Sequence, residues 1–307
     1  MDTSVFRILV IGFLLACLPV QSFAAGKAKN KTAKKQTASV EVSFDANVGK
    51  LPPRFSGNNV ITLFTALSKN YTRYLKSEFE TNEVFQNRLL KLEDARVTGK
   101  VKYNDTVAFT LLTSFKSSYD ADSQTMTVTV PFASIQDSDL SDAISYELPP
   151  GKGAYTYSSE TIYGRAIEVF STLSKTEKYT GSNAFGTKVK ITGKVYDTFA
   201  VAVKSDNDLM KHSESITLTL SLPPEKAREA KATGNILLVG NLVHPYIGMG
   251  TYHSTATIDD PVEILDRIRY VAMELTDIRY YSIATGEIYH TQQIVYNDTD
   301  DNESEAE

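Results

Sequence analysis

The chain has 307 residues, of which 42% are hydrophobic and 22% charged, and its net charge is −5. Those proportions are ordinary for a globular domain, and the mild acidity argues against nucleic acid as a partner. Seventeen Tyr, fourteen Phe and no Trp, among many Thr and Val, lean towards strands.

The first 25 residues read as a signal peptide: Arg7, an apolar run over 8–20, then Ser22-Phe23-Ala24-Ala25 as a small-residue cleavage site. The run is shorter than the roughly 20 residues that cross a hydrocarbon core. Leu14-Leu15-Ala16-Cys17 also resembles a bacterial lipobox, which would make the product a lipoprotein anchored through Cys17. Leu18-Pro19-Val20 is a poor polar tether, so cleavage near Ala25 is the favoured expectation. Cys17 is the single cysteine, so cleavage leaves a thiol-free chain. An exported chain of this size without disulfides suggests a bacterial envelope protein, most simply periplasmic.

Residues 26–39 carry Lys27, Lys29, Lys31, Lys34 and Lys35 and are expected to be a disordered linker. This segment, or a lipid on Cys17, is where membrane contact is expected. At the other end, residues 297–307 form an acidic tail with the same expectation of disorder.

Between these tails, residues 40–296 read as a single α+β domain: an antiparallel β-sheet meander packed against one or two N-terminal amphipathic helices. Alternation at 40–44 predicts a half-buried strand. Leu63, Phe64, Leu67, Tyr71, Tyr74 and Leu75 recur at helical spacing after a cap at Asn58 or Asn59. A second helical stripe through Val84, Phe85, Leu89 and Leu92 starts at a Thr81 or Asn82 cap. Short period-two runs from Val97 to Val130 predict the meander. Pro149-Pro150-Gly151-Lys152-Gly153 reads as a plain turn, since the phosphate-loop spacing is missing. Pro223-Pro224 opens and Gly234 closes a short helix. Residues 236–239 read as a buried strand, and 264–281 fit either a helix or the first arm of a hairpin turning at Thr285-Gly286, with the hairpin favoured for the C-terminal part and the helix left open.

Three phrases together resemble a group of uncharacterised exported bacterial proteins. They are Glu78-Phe79-Glu80-Thr81 with Phe85 and Arg88, Gly181-Ser182-Asn183-Ala184-Phe185-Gly186, and Thr257-Ile258-Asp259-Asp260-Pro261 with Thr285-Gly286-Glu287-Ile288. The resemblance implies a periplasmic or surface setting and no activity, cofactor or catalytic residue. In the middle phrase the glycines are expected to serve loop geometry and Phe185 to plug the core.

Chemistry is sparse. His244 and His253 bracket a Gly- and Tyr-containing stretch and, with Asp259 or Asp260, would offer a two-histidine, one-carboxylate set. Their nine-residue separation fits no zinc spacing, and ordinary hydrogen bonds are expected instead. Asp259-Asp260-Pro261-Val262-Glu263 lacks the calcium-loop rhythm. No nucleophile elbow is present, and no metal, cofactor or catalytic residue is assigned. Tyr246, Met249 and Tyr252 are read as a partner-contact loop. The expected function is a non-enzymatic binding or scaffolding module whose partner is another envelope protein. The alternatives are a periplasmic hydrolase working through a carboxylate or the His244/His253 loop, and a carrier of lipid or small ligand.

Overall fold

The computed structural model describes residues 41–112, 115–132, 144–147, 161–182, 185–204 and 215–295. The expected signal segment with Cys17, the lysine-rich linker, the 149–153 turn and the acidic tail lie outside them.

Helix α1 (Val60–Lys69) begins where Asn59 Oδ1 accepts the Thr62 N–H at 2.9 Å, which satisfies a donor that the helix itself leaves free. Its neighbour Asn58 has a different role. The Asn58 amide reaches Glu41 Oε2 at 3.0 Å, while its carbonyl oxygen accepts the Ala108 N–H at 3.0 Å, tying the helix entry to the sheet. Gly57 before it has φ +65, and a Cβ there would lie 2.3 Å from the Ala108 carbonyl oxygen. After a 3-10 turn over Tyr71–Arg73, helix α2 (Asn82–Leu92) starts on Thr81 Oγ1, which accepts the Val84 N–H at 3.3 Å.

From Arg96 onwards strand dominates. The strands β1 (Arg96–Thr98) and β2 (Val101–Lys102) form a small ladder. β3 (Thr106–Thr110) joins the large sheet, whereas β4 (Lys116–Asp120) and β5 (Thr125–Pro131) pair as a hairpin that β9 (Ser215–Ser221) extends. Helix α3 (Pro224–Thr233) opens on a first-turn proline, and its terminal Gly234 leads straight into strand. A Cβ on Gly234 would fall 2.0 Å from the Tyr280 hydroxyl.

The large sheet contains β6 (Ile144–Glu147), β7 (Thr161–Ser182), β8 (Lys188–Lys204), β10 (Gly234–Ser254), β11 (Val262–Ser282) and β12 (Ile288–Gln293). β10 pairs with β11, β11 with β8, β8 with β7, β7 with β6, and β6 again with β10 through Glu147 and Met249. The hydrogen-bonded circuit therefore closes on itself. β11 and β8 run parallel and every other pairing is antiparallel, so the chain is α+β and antiparallel-dominated, but its strands are not ordered as a simple meander. The ambiguous 264–281 stretch is strand, and its hairpin partner is β12.

Leu63, Phe64 and Leu67 of α1 share one buried cluster with Met126, Leu218, Val201, Leu238 and Val271. Each such side chain contributes about 1.5–3 kcal/mol by leaving water. On the opposite face of the same strands, Ala166, Ala200, Ala202 and Tyr270 pack together. Small residues suit that face because it lines the closed circuit, where little room remains.

Beyond this body, four strands continue as a projecting blade made of residues 172–182, 188–197, 262–268 and 250–254. All nine residues 172–180 of β7 are exposed. Residues 185–187 sit at the blade's end, next to the last β7–β8 pair, Ser182 with Lys188. Phe185, expected to plug the core, is instead 94% exposed there. A hairpin connection four residues past the nearest neighbouring strand has no core within reach.

Candidate functional site

An open groove of about 700 Å³ lies between the 3-10 turn and α2. Its geometry is set by Arg88, which occupies the inward face of α2. The guanidinium forks onto Glu80, with Nε to Oε1 at 2.9 Å and Nη2 to Oε2 at 2.7 Å. It also donates to the Leu75 carbonyl oxygen at 2.7 Å and to the Arg73 carbonyl oxygen, binding the 73–80 loop to the helix. Bidentate charge-assisted bonds of this kind are directional as well as strong. They hold the Glu80 carboxyl down at about 2, with the Ser77 N–H adding to the effect. Leu75, Val84 and Leu92 line the groove, Arg73 and Lys91 add positive charge, and Phe79 stands 88% exposed at its rim.

Behind the groove, His244 is enclosed by aromatic rings. Its ring meets Phe85 edge-on at 5.5 Å and Tyr246 at 6.0 Å, and Nε2 lies 3.0 Å from the Tyr74 carbonyl oxygen. Tyr74, Tyr103 and Tyr246 complete the cluster with T-shaped contacts at 5.0–6.1 Å. Burial pushes the Tyr74 hydroxyl well above its ordinary range and that of Tyr246 up to about 12. His244 thus ties the helical layer to β10.

His253 lies elsewhere. From Ile247 to His253 the strand is in regular register with β11, and six residues at about 3.3 Å each place His253 roughly 20 Å along the blade. There Nε2 contacts Glu263 Oε1 at 2.8 Å, and the Tyr179 hydroxyl donates to Glu263 Oε2. The Tyr179 bond first, and His253 second, lower the Glu263 carboxyl below the usual range. Asp259 is exposed in the neighbouring connection, where Asp260 closes a turn by donating its N–H to Thr257 Oγ1 at 2.9 Å. The two histidines and Asp259 do not converge, and the described residues contain no grouping of three His, Cys, Asp or Glu able to hold a metal. Glu263, the residue that does meet His253, stands in the sequence only as the end of the Asp259-to-Glu263 acidic run; its pairing with the histidine is made across a strand pair, not along the sequence.

Tyr246, Met249 and Tyr252 also separate. All three belong to β10, not to a loop; Tyr246 is 5% exposed, and Met249 and Tyr252 point to opposite faces. Of the glycines that suggest a loop, Gly250 serves packing: a Cβ there would sit 3.0 Å from the Tyr270 ring.

One further pair occupies the closed circuit. Glu168 and Asp266 both have their carboxyls raised by burial, Glu168 also by Asp266 itself. Thr198 Oγ1 lies 3.0 Å from Asp266 Oδ2, and Asp266 Oδ1 is buried without a hydrogen-bond partner.

Comparison with protein-family models, characterised proteins and solved structures finds no match. The functional reading rests on the chain's own geometry. Among the described residues no helix is long and apolar enough to cross a membrane.

Proposed function

We propose that the chain is a non-enzymatic binding module of the bacterial envelope, and that the groove beside α2 receives an extended segment of another envelope protein. The observation that carries this reading is the groove's construction: apolar walls and an exposed Phe79, held open by the Arg88 clamp instead of collapsing. Preformed sites of this sort lose little ordering entropy on binding. Arg73 and Lys91 favour a segment carrying a carboxylate beside its apolar anchor. The helices resting on the antiparallel sheet serve as its rigid support, and the signal-like segment 1–25 supports a periplasmic setting.

The test is a photocrosslinking residue placed at Phe79 and, as a control, at Leu173. A single adduct from position 79 that disappears with Val84→Asp is expected. No adduct, or the same adduct from both positions, sinks the proposal. The Glu168–Asp266 pair favours a second reading, a periplasmic hydrolase using carboxylates. Turnover lost in Asp266→Asn with the fold intact would support it.

A further inference from the structure

The blade has two faces of different character, and strand register assigns each residue to one of them. β8 alternates without a break against β11. On one face stand Lys175, Glu177, Tyr179, Asp197, Glu263, Arg267 and His253, and these charges are mutually satisfied. Lys175 meets Glu177 at 2.6 Å, Asp197 holds Arg267 and Arg269 at 2.9 Å each, and Glu263 takes His253.

The other face carries Lys178, Lys188, Lys190 and Lys194. Register places Thr180 opposite Lys190, Thr192 opposite Lys178, and Thr176 opposite Lys194, with Val262 and Ile264 beside them. Within the paired strands no carboxylate shares this face until Asp266, beside Tyr196; Asp259 and Asp260 stand exposed in the connection that reaches Thr192, yet none of the four lysines has an ion-pair partner among the described residues. Four unpaired cations on one strip stand out in a chain whose net charge is −5. Mutual repulsion makes such a strip unfavourable on its own. An anionic partner would remove that repulsion.

The strip also has an apolar front. Lys188 opens β8 three residues after Phe185, which is 94% exposed. The second connection reaches β8 at Thr192, where the Thr192 N–H meets the Pro261 carbonyl oxygen at 2.9 Å. Phe185 therefore leads by more than four residues, on the order of 13 Å.

We propose that this lysine face and the Phe185 tip dock the protein on an anionic lipid bilayer. A bilayer offers both needed chemistries at once: phosphates for the ammonium groups, and an interface in which an aromatic ring settles. Nucleic acid offers the phosphates but no apolar layer for Phe185.

The experiment uses the purified protein in its naturally processed form and the absence of native Trp. Phe185→Trp is mixed with phosphatidylglycerol–phosphatidylcholine vesicles or with phosphatidylcholine vesicles alone. Expected are sedimentation with the anionic vesicles only, a blue shift of the single Trp, and binding that falls steeply with salt. Replacing all four lysines by Gln should weaken binding by about 100-fold or more, at roughly fivefold per lysine. Lys175→Gln on the other face should change it little. The proposal is overturned by equal binding to both vesicle types, by binding that survives the four substitutions in a folded protein, by unshifted Trp emission, or by duplex DNA displacing the vesicles.

Discussion

β7, β8, β10 and β11 each pass through two environments. In the body, residues 199–203 of β8 are buried without exception, with Phe199, Val201 and Val203 against α1's layer and Ala200 and Ala202 lining the circuit. In the blade, the β7 partner of the same ladder is exposed from 172 to 180. The backbone pairing hardly changes across this boundary, apart from single register shifts at Glu168/Phe170 and Leu173/Lys175. The difference shows that strand length here is not set by the core. The body is held by burial. The blade is held by its hydrogen-bond ladder and by paired charges on one face, terms that contribute little each. Structure retained with so little support is available for contact, and both proposed surfaces lie outside the body's core.

The strongest way to break this comparison is to truncate one apolar side chain in each region. Phe109→Ala, from a fully buried site, should cost about 3–5 kcal/mol in denaturant unfolding. Leu173→Ala, 48% exposed on the blade, should stay within about 0.5 kcal/mol. Similar costs would erase the distinction. Glycines sharpen it further. Gly57→Ala combines φ +65 with a backbone oxygen 2.3 Å from the new methyl and should cost about 2 kcal/mol. Gly193→Ala on the blade meets side chains alone, Glu177 Cγ at 3.3 Å and the Tyr179 ring at 3.8 Å, so its melting temperature should drop far less.

Alkaline titration separates the regions by a different observable. Tyr246 and Tyr280 have hydroxyls pushed up to about 12 by burial, whereas unfolded Tyr ionises near about 10. Folding therefore retains protons that the unfolded chain loses: stability is level below pH 10 and falls as pH rises towards 12. Absorbance at 295 nm should show these tyrosines ionising together with unfolding. Tyr179, raised chiefly by its bond to Glu263, should titrate without it. The smallest effect is expected at Asp266. Its carboxyl is raised by burial, so it opposes folding once pH climbs through its folded value. Asp266→Asn should raise the melting temperature at pH 7 and leave it unchanged at pH 3; a loss at pH 7 would indicate that the carboxylate is held by favourable contacts.

The helix starts were legible because a cap is a local arrangement of one side chain and a nearby N–H. Asn59, Thr81 and Pro224 each act within three residues of their own position. The closing hairpin was legible for the same reason: Gly286, at φ +75, accepts a conformation that other residues resist. The groove was half legible. Glu80, Phe85 and Arg88 stood out as a phrase, but the Arg88 fork onto Glu80 and the 73–75 carbonyls depends on how α2 turns against the preceding loop. Tyr246, Met249 and Tyr252 misled because glycines among aromatics suggest a loop, whereas Gly250 makes room for Tyr270 of the neighbouring strand.

By itself the sequence determined the α+β class, the helix caps, the turn before β12 and the period-two strands, all of which are interactions spanning a few residues. It also carried the alternation that separates Lys188, Lys190 and Lys194 from Val189, Ile191 and Gly193. Which side of that alternation meets core, lumen or solvent was decided by tertiary structure. The parallel β8–β11 register, the closure through Glu147 and Met249, and the projection that exposes Phe185 join residues scores of positions apart. A periodic pattern states that two faces differ; only the partner strand and the layer above it determine what each face touches.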